Sequence, residues 1–280
     1  MNTIGYVIKS DNYRSEFARG FLNRSLNMIA NVIGGAVPPW KASSLYDDKL
    51  NETAAMIAVG RQNFSDEARL KELWEKISDL LAKCGAVCLV IEGIPLPESE
   101  AMDLPVFDGT KAALCYQYAK SRIPGEFGRF SDVALMISVE TDPAWLEFFA
   151  DECNYLKIYC RDRSTSLWAL DTVYAYNGTA AEGTASIASL SESGAVFCLS
   201  ESLAPTARHL KAKCVVNPYD RGILESKALK SKVYTDKLGE LYLGPAYMEA
   251  LYYLKTGLLP TSNIRRFMAQ VEEDFLSKRN

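Results

Sequence analysis

Short, uniformly apolar runs alternate with longer stretches of helical period along most of the chain. Residues 4–8 (IGYVI), 54–59 (AAMIAV) and 86–91 (AVCLVI) have the first pattern and read as strands apolar on both faces. Such strands belong to sheets covered by helices on both sides, which favours parallel pairing. Residues 65–83 have the second pattern. Leu70, Leu73, Ile77, Leu80 and Leu81 recur at helical spacing, Ser65 or Asp66 stands at the cap position, and Gly85 follows as a stop. Residues 11–33 predict another helix, closed by Gly34-Gly35, and residues 36–53 an irregular stretch with one edge strand.

A helix over 110–121 follows, and Gly125 and Gly128 mark a boundary. Beyond it the alternation resumes, with strands at 133–139, 155–160, 172–176, 195–199 and 214–216. Asp142-Pro143 opens the helix between the first two, since proline is preorganised for a first helical position. Shorter helical connectors fall at 164–170, 184–192 and 205–210. After Tyr219 the pattern loosens, and helices over 247–254 and 264–276 close the chain. Phe267, Val271 and Phe275 form a stripe on the last helix that must bury against the body of the chain or a second copy. The expected fold is α/β, with two doubly wound (Rossmann-like) units, mainly parallel sheets and C-terminal closing helices. Residues 1–125 form the first unit and residues 126–280 the second.

Charge narrows the partners. The 280 residues carry 31 Lys and Arg against 35 Asp and Glu, a net charge of −4. Phosphate neutralisation supplies most of the affinity for DNA or RNA, so bulk nucleic-acid binding is not expected. One stretch runs against the average. Residues 203–237 gather Arg208, Lys211, Lys213, Arg221, Lys227, Lys230, Lys232 and Lys237 against Asp220, Glu225 and Asp236. Residues 92–108 are the opposite, with Glu92, Glu98, Glu100, Asp103 and Asp108 stiffened by Pro95, Pro97 and Pro105. The two stretches could dock on each other within the chain or between copies. No apolar run is long enough to span a bilayer, and the first residues lack the pattern of a secretion signal. The seven cysteines are scattered, mostly in apolar runs, as reduced thiols in a cytoplasmic protein would be.

Ligands of open parallel sheets bind beyond the carboxyl ends of the strands, where loops and helix N-termini gather. That rule selects Glu92, Glu140, Thr141, Arg161, Arg163, Asn177, Gly178, Thr179 and Glu201 as candidate ligand-binding residues. If Glu92, Glu140 and Glu201 converged, they could hold an amine or a metal, or act as acid and base. The simpler alternative is that they cap helices or face water. Arg161 and Arg163 stand where an NADP 2′-phosphate would be received, and residues 177–184 form a small-residue loop open to backbone approach. Other signatures are missing. There is no G-x-x-x-x-G-K-[ST] and no G-x-G-x-x-G, and the first turn of the second unit is Ser-Val-Glu-Thr-Asp-Pro, without glycine. The single histidine, His209, excludes a His-based zinc site, and no metal is expected.

The residues therefore predict a protein that binds a small molecule, a nucleotide or a carboxylated metabolite, in a cleft between its halves. An interaction protein working through its acidic and basic surfaces is the alternative. A degenerate NADP-dependent oxidoreductase is the third reading. Such folds host many unrelated activities, so the pattern alone does not decide between enzyme and binding protein.

Overall fold

The computed structural model describes residues 2–9, 40–46, 51–59, 64–97, 103–121, 132–235 and 239–275. The first part of the chain runs β1 (Thr3–Lys9), β2 (Trp40–Tyr46), β3 (Glu52–Val59), α1 (Glu67–Lys83), β4 (Ala86–Glu92), β5 (Val106–Phe107) and α2 (Thr110–Ser121). Then come β6 (Val133–Met136), α3 (Pro143–Glu152), β7 (Tyr155–Tyr159), α4 (Arg163–Asn177), β8 (Ala180–Thr184), α5 (Ile187–Leu190), β9 (Ala195–Cys198), α6 (Ala204–Ala207), β10 (Val215–Val216) and α7 (Arg221–Leu224). The chain continues through β11 (Ser231–Thr235), β12 (Gly239–Leu243), α8 (Pro245–Thr256) and α9 (Ile264–Phe275).

These elements form two compact units, and each is interrupted in sequence. Unit 1 is Met1–Asp108 with Lys230–Gly257, and unit 2 is Gly109–Leu229 with Leu258–Asn280. The division differs from a single break after residue 125. The crossing falls earlier, and the chain later returns to unit 1 because β11 pairs with β2. The boundary glycines 125 and 128 lie outside the described residues, as does the helix predicted over 11–33.

Unit 1 holds a seven-stranded sheet in the order β12-β11-β2-β3-β1-β4-β5. β3, β1, β4 and β5 are parallel neighbours, and β2, β11 and β12 add antiparallel pairs. The predicted apolar runs 4–8, 54–59 and 86–91 are the three central strands, and helices cover both of their faces. On one face α1 lays Leu70, Leu73, Trp74, Ile77 and Leu81 over Val7, Ile57, Val59 and Leu89. Asp66 caps that helix, and Trp74 Nε1–H donates to the Pro95 carbonyl (2.8 Å). On the other face α8 sets Ala246, Tyr247 and Ala250 on Ile4, Tyr6, Ile8, Cys88 and Val90. The expected edge strand in 36–53 is β2, flanked on both sides, and the stretch after Tyr219 contains the β11–β12 hairpin.

Unit 2 holds a wholly parallel sheet in the order β8-β7-β6-β9-β10. Numbered from its first strand this is 3-2-1-4-5, the order of a Rossmann-like doubly wound sheet. Strand side chains alternate between faces. Ala134, Met136, Val196 and Cys198 meet Leu190, Leu203, Ala204 and Ala207, while on the aromatic side Phe197 stacks on Phe149 at 4.6 Å and on Tyr118 at 5.8 Å. α9 joins this unit through Tyr116–Phe275 and through Arg265, which bridges Asp151 (3.2 Å) and Glu152 (2.9 Å).

Two local expectations fail here. Residues 172–176 are helix, because α4 runs 15 residues from its Asp162 cap to a left-handed Gly178 (φ 73°). Residues 180–184 are the edge strand β8, not a loop, because they pair in register with β7.

Candidate functional site

The strand order of unit 2 marks its topological switch point. The connection from β6 runs outward through β7 to β8, then returns to β9 on the other side of β6. Loops leaving β6 and β9 therefore part in opposite directions, which is the topological switch point where such sheets bind ligands. The segments there are 137–142 after β6 and 199–202 after β9.

Thr141 stitches these two segments together. Ser138 N–H donates to Thr141 Oγ1 (3.0 Å), and Thr141 Oγ1 donates to the Leu199 carbonyl (3.4 Å). Buried at 5% exposure, it shapes the floor and has no free donor for a ligand. Glu140 and Glu201 are exposed at adjacent strand exits, and Ser200 and Ser202 share a hydroxyl hydrogen bond (2.9 Å). Val139, which the sequence pattern assigns to the end of a strand, stands 81% exposed in the turn.

Electrostatics decides what charge the crevice accepts. The N-terminus of α3 would ordinarily receive an anion, but Asp142 accepts from Ala144 N–H there (3.0 Å). Asp162 does the same at α4, accepting from Thr165 N–H (2.7 Å) and Thr165 Oγ1 (2.8 Å), and also from Ser164. These donors hold its carboxyl below the usual range, the Ser164 hydroxyl first among them. Both helix starts thus carry their own carboxylates. Positive charge enters from Arg161, whose guanidinium reaches from the exit of β7 to donate to Thr206 Oγ1 in α6 (3.3 Å), beyond β9. Arg163 stands exposed at the first residue of α4.

The remaining candidates lie elsewhere. Asn177, Gly178 and Thr179 precede β8, at the opposite end of the sheet from the strand exits. Thr179 Oγ1 donates to the Ala150 carbonyl (2.9 Å) and Asn177 Nδ2 to Asp151 (3.2 Å), so they tie the end of α4 to α3. The strand assumed just before them is helix, which is why the exit rule misplaced them. Glu92 belongs to unit 1, and no cluster of metal ligands forms among the described residues.

At the carboxyl end of β4, Glu92 accepts a hydrogen bond from the Tyr6 phenol of β1. Burial pushes its carboxyl up from the usual range, with the Tyr6 hydrogen bond and the Lys230 charge opposing. Tyr6 could not be found from sequence, because it stands in mid-strand among apolar residues. Burial also pushes the Cys88 and Cys153 thiols up to about 12 and that of Cys198 to about 11, which keeps them protonated and unreactive at neutral pH.

No family model matches this chain, and no curated protein matches it. Among solved structures, L-tryptophan dehydrogenase from Nostoc punctiforme is 11% identical with a TM-score of 0.38, over 98% of this chain and 80% of that one. Quinate dehydrogenase from Corynebacterium glutamicum in complex with NAD is 10% identical with a TM-score of 0.37, over 98% and 100%. Shikimate dehydrogenase from Mycobacterium tuberculosis is 11% identical with a TM-score of 0.36, over 96% and 99%. No residue role is carried across at this overlap.

Proposed function

We propose that unit 2 binds an anionic small molecule, a nucleotide or a carboxylated metabolite, over the carboxyl ends of β7, β6 and β9. The observation that carries this reading is Arg161, which follows β7 and donates to Thr206 Oγ1 of α6, the helix that follows β9. A cation held across a switch point by a single hydroxyl has guanidinium donors left for a phosphate or carboxylate, and its planar fork fits either bidentately. Val139 supplies an apolar surface for a ring beside it. The carboxylates of Asp142 and Asp162 disfavour a pyrophosphate laid on the helix starts, so the anion sits toward Arg161. NADP fits this reading only through its 2′-phosphate, with Arg163 as the second cation.

The test is thermal stabilisation of the full chain by NADP, adenosine 2′,5′-bisphosphate, inorganic phosphate and citrate. A ligand at about 100 times its Kd adds about 2.7 kcal/mol. At least one should raise Tm, and Arg161→Ala should abolish the rise. Flat curves with all four, or a rise unchanged in Arg161→Ala, would reject the assignment.

A second reading has its own observation. Arg208, His209, Lys211 and Lys213 are exposed in one loop whose Leu210 and Ala212 pack on the core. The predicted basic stretch does not remain one patch, since Lys232 pairs with Glu240 (2.6 Å) in unit 1. The loop 208–213 is the part free to meet an acidic partner. Binding of a polyglutamate peptide that does not weaken as salt rises would count against it.

A further inference from the structure

Unit 1 carries a polar group at its own strand exits that the reading of unit 2 does not use. β3, β1 and β4 run parallel, with Glu92 opposite Ile8 at the carboxyl end of β4. The Tyr6 phenol reaches it from β1 and is fixed by its surroundings. Its ring meets Tyr247 of α8 edge-on (centroids 6.5 Å apart), and the Tyr247 hydroxyl is hydrogen-bonded to Thr53 Oγ1 of β3 (2.7 Å). Gly244, just before α8, lies so close that an added Cβ would stand 3.8 Å from Glu92 Oε1. Glu92 is thus held between the sheet and the start of α8, with Oε1 satisfied by the phenol.

Oε2 has no such donor among the described residues, and no described cation pairs with Glu92 within 4 Å. Lys230 acts on it only through space. Glu92 is half-buried, so a small cation can reach the open oxygen, and an ion pair in such a partly desolvated recess is stronger than in bulk water. A metal ion would need further ligands, and none cluster here among the described residues. We propose that Tyr6 and Glu92 form a second binding site, in unit 1, which takes the protonated amine of a small molecule on the open carboxylate oxygen. Tyr6 orients the carboxylate, and Glu92 makes the ion pair. The site is independent of the anion site at Arg161, and titrations with phosphate or NADP report on that site alone.

The experiment is an amide NMR titration of the full chain with ethylammonium chloride, and separately with ethylene glycol, at constant ionic strength. The amides of Gly93 and Gly244 should shift saturably with ethylammonium and not with glycol. Glu92→Gln should weaken that binding at least about tenfold, since a hydrogen bond to a charged group is lost. Tyr6→Phe should weaken it less. In the wild type, affinity should fall about tenfold per pH unit once the carboxyl is mostly protonated. Among the described residues, Tyr6 and Lys230 are the charged or titratable groups that act on Glu92. The pH arm decides the matter without a variant if Glu92→Gln does not fold. Saturation by glycol, binding unchanged in Glu92→Gln, or affinity indifferent to acid would each overturn the proposal.

Discussion

Each unit places a carboxylate at or just beyond the end of a parallel strand, and the two behave in opposite ways. Asp162 follows β7 in unit 2, exposed, with the Ser164 hydroxyl and both the N–H and hydroxyl of Thr165 turned toward it. Those donors stabilise its charge, and its carboxyl is held below the usual range. Glu92 ends β4 in unit 1, half-buried, with one phenol as its donor, and its carboxyl is pushed up by that burial. Topology puts both at the edge where ligands bind. Solvent and local donors then decide that one is a helix cap and the other a group seeking a partner. Position in the sheet is therefore a poor guide to role until the donors are counted.

The largest expected effect lies in the core of unit 1, beneath the strand that ends at Glu92. Trp74 is fully buried under the sheet of unit 1 and anchors the segment leaving β4 through its bond to the Pro95 carbonyl. Trp74→Ala removes the ring and leaves that carbonyl unpaired, at a cost of about 3–5 kcal/mol. Urea unfolding at 25 °C measures it. A loss below about 1 kcal/mol would mean that α1 is not keyed to the sheet through this residue.

A pair of glycines sharpens the contrast between a closed and an open part of the molecule. At Gly5 in β1 an added Cβ would come 2.3 Å from Leu81 Cδ2 and 2.7 Å from Leu89 Cδ2. Both leucines are buried and cannot swing away. Gly5→Ala should cost about 1–3 kcal/mol through overpacking. At Gly183 in the edge strand β8 the Cβ would meet Ser166 Oγ at 2.7 Å and Leu170 Cδ1 at 3.3 Å. Those two side chains are only partly buried and can turn, so Gly183→Ala should stay within about 1 kcal/mol. Equal losses in the two variants would erase the distinction.

What was legible in the sequence follows from how local each signal is. The helix over 65–83 and the run 86–91 announce themselves, because a wide apolar face at helical spacing and an unbroken apolar run are both local signals that survive any tertiary arrangement. The tract 172–176 misleads, since Thr172, Val173 and Tyr174 favour strands, whereas α4 is held by a narrow stripe of Thr165, Ala169 and Val173. β8 is invisible because Ala, Glu and Gly carry no strand preference, and only pairing with β7 makes it one. The site divides the same way. Glu92, Glu140, Arg161 and Glu201 were found as strand exits, but the partners that give two of them meaning were not. Tyr6 lies 86 residues from Glu92 and Thr206 lies 45 residues from Arg161, and neither pairing exists until strand order brings them together.

The finest test returns to the two carboxylates through the pH dependence of stability. Glu92 has a folded pKa above its unfolded value, so the native chain binds the proton more tightly than the unfolded one. Relative to Glu92→Gln, the wild type should lose stability as pH rises from about 4.3, the unfolded value, through the folded value, and then level off. Asp162 has the opposite sign. Its stabilisation is fully present above its unfolded value of about 3.9, so relative to Asp162→Asn the wild type should lose stability only as pH falls through the lower folded value. Urea midpoints of the three proteins between pH 3 and pH 7 check both slopes. Because Asp162 is exposed its slope should be the shallower, and matching slopes of the same sign would mean that burial and local donors do not separate these two groups after all.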